Sequence, residues 1–226
     1  MNSKLSISFR PLTTDDIDIV ADFLALHYVP NEPMSQCLAF TEEETYAYAK
    51  GEAEETLPHC LSTAAVISGT NEICGLSMCK RFSDCSYTED AVANSKHKAA
   101  FLFRFAEWTE STLTKEFGTS NIFLDDLTVV SPKYSNRGLA TEFIRRTTEK
   151  AEGLGFDVII AFALTEKIIK VTRRWGWKLL KKIDLRSYCD SLTNEAVFAQ
   201  AKVIDGCVPV VYKDFRSAVN RASHKL

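Results

Sequence analysis

A turn-rich loop in the middle of the chain separates a strand-like segment from an amphipathic helical one. Asn121–Val130 is apolar and β-branched, and Ser131–Gly138 is rich in turn-forming residues. From Leu139 to about Leu154 the apolar side chains recur at helical spacing, and Phe156–Ala163 is again strand-like. A strand, a helix and a second strand in this order predict a βαβ-like crossover.

The segments on either side of this crossover have the pattern of antiparallel hairpins. Leu61–Ser68 and Ile73–Phe82 are strand-like and are separated by a turn cluster. Ala196–Ile204 and Val208–Tyr212 form a second such pair around Asp205-Gly206. Together these elements predict an α/β fold of the mixed, α+β type, in which a central, mostly antiparallel sheet carries helices on both faces.

Helical periodicity accounts for much of the remaining chain. The predicted helices cover residues 17–27, 41–53, about 90–117 and about 165–175. Between the first two, prolines on both sides predict that Asn31–Ser35 is a loop. No repeat, low-complexity tract or flexible linker divides the 226 residues. We therefore expect a single domain, 1–226, in which the helical segment of about 90–117 is an insertion.

Charge and composition restrict the classes of partner. The net charge is −3 at pH 7, so the chain lacks the basic excess of a dedicated nucleic-acid binder. No apolar run approaches the roughly 18–20 residues that span a bilayer, and no apolar signal-peptide core is visible near the first residue. The cysteines number seven, an odd count with no Cys-x-x-Cys pair, which favours reduced thiols. We expect a cytoplasmic protein that binds neither nucleic acid nor membrane.

One pair of cysteines has a spacing that some zinc sites use. Cys74 and Cys79 are separated by four residues, but both lie in a predicted strand, where their odd offset places them on opposite faces. None of the four histidines completes a ligand pair with His-x-x-x-His spacing or similar. We expect no metal site.

The start of the helix after the central loop has the features of an anion-binding site. The first amides of a helix have no internal partner and lie at the positive end of the helix dipole, where they bind phosphate oxygens. Gly138 permits close approach of the backbone, Ala140 keeps the helix face small, and Arg137 adds positive charge. The segment lacks the spacing of a Walker loop and of a dinucleotide-binding fingerprint.

At these residues the sequence resembles the GNAT superfamily of acyl-CoA-dependent N-acetyltransferases. The superfamily motif, Arg/Gln-x-x-Gly-x-Gly/Ala, is matched by Gly138 and Ala140, while Ser135 occupies its first position. Arg174-Trp175-Gly176-Trp177 resembles the superfamily's helix–Gly–aromatic step. The resemblance implies acetyl-CoA as co-substrate, with backbone amides near Val129 and Val130 polarising the thioester carbonyl. The residues implied to contact it are Leu127, Val129, Val130, Ser135, Asn136, Arg137, Gly138, Leu139, Ala140 and Thr141.

A narrower resemblance lies upstream, where His27–Ser35 is similar to a segment of the invertebrate arylalkylamine N-acetyltransferases. It implies that Glu32 is the general base. Asp125, on the strand where other members place polar catalytic residues, is the second candidate for the base. The paired serines of that family correspond to Leu164 and Ile168, and the superfamily tyrosine corresponds to Thr172, so no general acid is visible in the predicted helix.

The resemblance implies an enzyme that transfers an acetyl group from acetyl-CoA to a primary amine, with an arylalkylamine such as dopamine, tyramine, octopamine or serotonin as the expected acceptor. Attack would be direct, without a covalent enzyme intermediate, because no cysteine has an activating setting. Two alternatives stay open: a GNAT-like acyl-CoA-binding protein with little or no activity, and an enzyme for polyamine, amino acid or protein amines. The expected partners are acyl-CoA and a small amine, and the chain is expected to be a monomer or homodimer.

Overall fold

The computed structural model describes residues 6–82 and 97–216, and within them seven strands form one sheet. The strands are β1 (Ile7–Pro11), β2 (Thr63–Ile67), β3 (Ile73–Arg81), β4 (Ile122–Val130), β5 (Val158–Phe162), β6 (Lys178–Asp184) and β7 (Cys207–Asp214). Their order across the sheet is β1-β2-β3-β4-β5-β7-β6. Only β4 and β5 are parallel neighbours, and all other described pairs are antiparallel.

Six α-helices are described alongside the sheet. They are α1 (Ile17–His27), α2 (Pro33–Leu38), α3 (Glu42–Thr56), α4 (Ala99–Phe117), α5 (Leu139–Gly153) and α6 (Glu166–Arg174). The first, third, fifth and sixth lie where the periodicity predicts them. The predicted start of the fourth, at about residue 90, falls outside the described residues. No helix among the described residues is long and apolar enough to cross a membrane.

Helices cover both faces of the sheet, which confirms the predicted fold class. Side chains of α1, α3 and α4 pack on one side with Leu76, Met78 and Leu124, and we call this side the α1 face. Side chains of α5 and α6 pack on the other side with Phe123 and Ile159, and we call it the α5 face. The crossover from β4 through α5 to β5 confirms the βαβ unit expected from the sequence.

The contact between β4 and β5 ends halfway along β4. The parallel register runs from Ile122 opposite Val158 to Asp125 opposite Ala161 and stops there. The remaining part of β4, residues 126–130, pairs only with β3 among the described strands. Its other edge therefore carries backbone groups without a strand partner, and such groups need a ligand, water or side chain to satisfy them.

A β-bulge at Asp126 lies next to the point where β4 and β5 separate. Met78 of β3 lies opposite Leu127, whereas Cys79 lies opposite Asp125, so Asp126 is an extra residue on β4. A bulge bends its strand and increases the local twist. Asp125 points to the α5 face and Asp126 to the α1 face, as strand alternation predicts for neighbours.

A second bulge corrects the prediction for the two spaced cysteines. In the pairing of β2 with β3, Ala65 lies opposite Gly75 and Val66 opposite Ile73, so Cys74 is an extra residue. The extra residue shifts the alternation, and Cys74 and Cys79 both point to the α5 face rather than to opposite faces.

Two local predictions are wrong. Asn31–Ser35 is not a loop throughout, since Pro33 begins α2 and Glu32 is its N-cap. Proline is well tolerated at the first helical position, because the amide it lacks would have no helical partner there. Residues 196–203 form no strand: Phe198 is fully buried against the aromatic rings of Phe105 and Tyr188. The conformation of this segment is therefore determined by side-chain packing and not by strand pairing.

The long connection between β6 and β7 is tied to α4 by a buried ion pair. Arg104 Nε donates to Asp190 Oδ1 at 2.5 Å, and both side chains are almost completely buried. Asp190 Oδ2 also accepts from the backbone amides of Leu192 and Thr193. The carboxylate thus closes a turn in the connection and joins it to α4.

Asp190→Ala should lower the free energy of unfolding by about 3–5 kcal/mol, because it leaves the Arg104 charge buried without this partner. Lys170→Ala, which breaks an exposed pair with Glu166 on α6, is the control and should change it by less than about 0.5 kcal/mol. Urea unfolding followed by fluorescence measures both values. A loss below about 1 kcal/mol for Asp190→Ala would show that the ion pair does not anchor the connection.

Candidate active site

A cavity of about 510 Å³ lies where β4 and β5 separate. Its walls come from the end of α1 and the start of α2, from residues 125–130 of β4, from the end of β5 and from the start of α6. Ile144 of α5 and Lys202, on the connection between β6 and β7, complete the lining. The cavity therefore touches both faces of the sheet at the point where the sheet is open.

Glu32 lines this cavity with a side chain that α2 holds in place. Only 3% of the residue is exposed, and its two carboxylate oxygens accept from the amides of Met34 (3.0 Å) and Ser35 (2.5 Å). Burial raises the pKa of Glu32 above its usual value, and the two amide hydrogen bonds oppose this shift. A carboxylate fixed at a helix N-terminus, with its pKa moved toward neutrality, suits a general base.

Asp125 lines the same cavity from the α5 face. Its Oδ1 accepts from the hydroxyls of Ser77 (3.3 Å) and Thr128 (3.4 Å), and its Oδ2 accepts from Thr147 of α5 (3.5 Å). Burial raises the pKa of Asp125 to about 7, against the effect of these hydrogen bonds. None of the ion pairs between described residues involves Asp125, so no cation offsets its burial.

Asp126 belongs to a buried charged cluster on the α1 face. Lys80 Nζ lies 3.0 Å from both Asp126 Oδ2 and Glu55 Oε1, and only 1% of the Lys80 side chain is exposed. Glu52, one turn before Glu55 on α3, is buried beside them, and burial raises its pKa to about 8. The bulge brings Asp126 to the cavity wall while its carboxylate stays paired with Lys80.

The phosphate site predicted from the sequence lies just beyond the end of β4. After Val130 the chain makes one 3₁₀ turn and enters α5 at Gly138. Asn136 (φ 59°) and Gly138 (φ 80°) both have left-handed backbone conformations. Over the described part of the chain, the amides of residues 136–141 donate to no other group. A cluster of free amides at a helix N-terminus is a site that favours an anion.

Contacts with the β2–β3 hairpin fix this loop. Glu72 accepts from the Tyr134 hydroxyl at 2.5 Å and from Lys133 Nζ at 2.6 Å. Ser131 donates its amide to the Cys74 carbonyl. The loop is therefore anchored before the free amides begin, while Arg137 and its neighbours stay exposed.

The structure brings together only part of the predicted set of site residues. Those that line the cavity are Glu32, Asp125, Leu127, Val129 and Val130. The loop residues 135–141 lie outside the cavity lining, at the start of α5.

The start of α6 and the residues just before it contribute apolar side chains to the cavity. Leu164 precedes the helix by two residues, and Ile168 lies in its first turn. Thr172 is fully buried, and its hydroxyl donates to the Ile169 carbonyl within the helix. These three positions therefore supply no acid or base to the cavity.

Sequence reasoning missed the part of the site that Lys80 organises. A lysine in the otherwise apolar and small-residue strand Ile73–Arg81 was the available signal, because a buried lysine requires carboxylate partners. Asp126 is paired with this lysine and also lines the cavity. Among the residues that the structure describes, no group of three or more His, Cys, Asp or Glu side chains is arranged for a metal ion.

Asp125→Asn should stabilise the protein at pH 8 but not at pH 4. The folded-state pKa near 7 exceeds the usual value near 3.8, so the contribution of Asp125 to stability is present below pH 4 and is lost as the pH rises to 7. The full shift corresponds to at most about 4 kcal/mol. Urea unfolding at both pH values measures the difference between variant and wild type.

Asp16→Asn is the control for that experiment, because Arg10 lowers the pKa of Asp16 through a bidentate hydrogen bond. This substitution should destabilise the protein at pH 8, and the difference should shrink in acid. An Asp125→Asn effect that is the same at pH 4 and pH 8 would contradict the raised pKa.

Comparisons with known proteins identify the fold. No protein-family model matches the sequence, and no curated protein matches it. A mosquito arylalkylamine N-acetyltransferase like 5b matches in structure with a TM-score of 0.73 and 17% identity, over 92% of this chain and 100% of that chain. A Drosophila melanogaster polyamine N-acetyltransferase gives 0.73 and 15%, over 92% and 98%. The NatC complex bound to Gag peptide and CoA gives 0.51 and 15%, over 93% and 99%. The chain therefore has the fold of these acetyltransferases, as its resemblance to the GNAT superfamily predicted.

Proposed function

We propose that this protein is an acyl-CoA-dependent N-acetyltransferase that transfers an acetyl group from acetyl-CoA to a primary amine of the arylalkylamine type. The observation that carries the proposal is the opening between β4 and β5. There a free strand edge borders a cavity with a fixed, buried carboxylate, and β4 leads from it to a helix N-terminus with unpaired amides. The helix N-terminus can bind the diphosphate of the donor, the strand edge can polarise the thioester, and the carboxylate can activate the amine.

The donor would bind along the α5 face. Its diphosphate would lie at the start of α5, on the amides of residues 136–141, with Arg137 adding charge; the Ser135 amide already donates to the Pro132 carbonyl. Its thioester would enter the opening beside Leu127, Val129 and Val130, where backbone amides without a strand partner can polarise the carbonyl oxygen. The CoA in the NatC structure, whose fold is similar, supports this choice of donor.

The amine would be activated by Glu32. Amines of this type are protonated at neutral pH and must lose a proton before they attack a thioester. Glu32 lies in the cavity on the α1–α2 segment, and its raised pKa favours proton uptake. The nitrogen lone pair then forms the N–C bond, the C–S bond breaks, and CoA leaves as a thiol.

An aromatic inner wall supports an arylalkylamine acceptor. A smaller cavity of about 90 Å³ shares Tyr28, Asp126 and Phe162 with the main one. Tyr48, Phe103 and Phe105 also line the smaller cavity, and such side chains pack well against an aromatic ring. A polyamine is the second candidate, because Asp126 and Glu52 also line this space and carboxylates attract a second ammonium group. Lys80 counts against it, since its charge already pairs with Asp126.

The six described cysteines are free thiols, which supports the cytoplasmic location that we propose.

A GNAT-like protein that binds acyl-CoA without turnover is the remaining alternative. Purified protein with acetyl-CoA and a panel of tyramine, phenylethylamine, putrescine and agmatine separates these functions through the release of CoA thiol. We expect faster release with the aryl amines. CoA binding without release on any amine would favour the non-catalytic protein.

Glu32→Gln should lower kcat/KM by about 10²–10⁴-fold, because glutamine keeps the side-chain shape but cannot accept the proton. The measurement is kcat/KM against pH for the best aryl amine. The loss should shrink at high pH, where more of the free amine is already neutral. Glu42→Gln, in the first turn of α3 and away from the cavity lining, is the control and should leave kcat/KM unchanged. A loss of less than about tenfold would exclude Glu32 as the sole base.

Gly138→Val should weaken CoA binding by at least about tenfold, because the added side chain would occupy the space in front of the free amides. No protein atom lies within 4 Å of a Cβ at this position. Gly155→Val is a matched control: Gly155 is also left-handed (φ 76°), has the same open surroundings and lies at the other end of α5. Calorimetric titration with CoA measures both. Equal affinity for the two variants would contradict the diphosphate site.

A further inference from the structure

The departing sulfur of a thioester needs a proton. The side chains that line the cavity lie on different faces of the sheet. The titratable residues in the lining are His27, Tyr28, Glu32, Asp125, Asp126 and Lys202. His27, Tyr28 and Glu32 come from the α1–α2 segment, and Asp126 points to the α1 face, where Lys80 holds it. Lys202 is flanked by Ala201 and Val203, which pack on the same core. Asp125 alone points to the α5 face.

We propose that Asp125 is a catalytic acid that protonates the sulfur of the leaving thiol, while Glu32 on the other side accepts the proton of the amine. This assignment rests on the proposed function. If the diphosphate lies at the N-terminus of α5, the chain of the donor reaches the opening from the α5 face, and its sulfur lies on that side. An acid for the sulfur has to be there, and the lining residues from α5 and from the start of α6 carry no acid. They are Ile144, Leu164, Thr165 and Ile168.

The surroundings of Asp125 keep a proton available at neutral pH. The residue is 3% exposed, and its partners are three hydroxyl groups instead of a cation. Its titratable neighbours are Asp126 in the chain and Cys79 of β3, whose Sγ is 4.0 Å from Oδ1. On α5, Lys150 Nζ is hydrogen-bonded to Leu61 and Thr63 and makes no ion pair with Asp125. Burial raises the pKa of Asp125 to about 7.

The proton balance of the step is complete without another reactant. Glu32 first takes the extra proton of the ammonium group and passes it to solvent. The neutral amine then attacks the carbonyl carbon with its lone pair, and the carbonyl electron pair moves onto oxygen. When the intermediate collapses, the C–S electron pair goes to sulfur, which takes the proton of Asp125, and the nitrogen proton goes to Glu32. The products are the amide and the free thiol, with Asp125 as a carboxylate and Glu32 protonated. Both side chains then return to their starting states by exchange with solvent.

The first test is the pH dependence of kcat for wild type and Asp125→Asn. An acid must be protonated to act, so the wild-type kcat should fall as the pH rises through about 7. Asp125→Asn should lower kcat by about 10²–10³-fold and should lose this descending limb. A loss of less than tenfold, or a descending limb that persists in the variant, would overturn the assignment.

The second test does not remove Asp125 and so does not depend on that variant folding. Ser77→Ala removes the hydroxyl whose hydrogen bond to Asp125 most opposes the raised pKa of that residue. The loss of this donor disfavours the carboxylate, so the descending limb should move to higher pH while the plateau of kcat changes little. An unmoved limb would mean that Asp125 has only a structural role. If wild type released no thiol with any amine, the proposed function would fail as well, whereas turnover that does not depend on Asp125 would overturn only this inference.

Discussion

Beyond Asp125 and Ala161, β4 and β5 stop sharing hydrogen bonds, and the arrangement of the candidate site follows from that separation. A buried strand edge without a partner would be costly in an ordinary sheet, because each unpaired backbone group loses its hydrogen bond to water. Here the edge borders a cavity of about 510 Å³ that a ligand can fill. The bulge at Asp126 bends β4 where the separation begins and determines which carboxylates reach the cavity.

The three carboxylates that reach the cavity have different surroundings, and these separate their chemical roles. Glu32 is held by two amides at the start of α2. Asp126 is paired with a buried lysine. Asp125 accepts from hydroxyl groups and the Cys79 thiol, and it is buried with no counter-ion among the described residues. Differences in burial and partner charge move carboxyl pKa values apart, so one site can hold a base and an acid at the same pH.

The sequence predicts the crossover and the helix N-terminus well because both follow from local patterns. Apolar spacing marks α5, and the turn-forming residues before Gly138 mark its start. The features that escape prediction depend on contacts between distant segments. Phe198 lies in a segment with strand propensity, but it packs against Phe105 and Tyr188 instead.

The bulges are the most consequential of these features. An inserted residue leaves no mark in the alternation of apolar side chains until the register with the partner strand is known. The bulge at Cys74 reversed the expected orientation of one cysteine, and the bulge at Asp126 lies beside the separation of β4 from β5. Likewise, a lysine at position 80 indicates buried partners, but only the structure identifies Glu55 and Asp126.

The central claim is that the opening between β4 and β5 receives a thioester from the α5 face. A crystal structure with acetyl-CoA tests it most directly. We predict the diphosphate on the amides of residues 136–141, the acetyl carbonyl beside Leu127–Val130, and the sulfur closer to Asp125 than to Glu32. A diphosphate bound away from the start of α5, or an acetyl group outside the opening, would contradict this account.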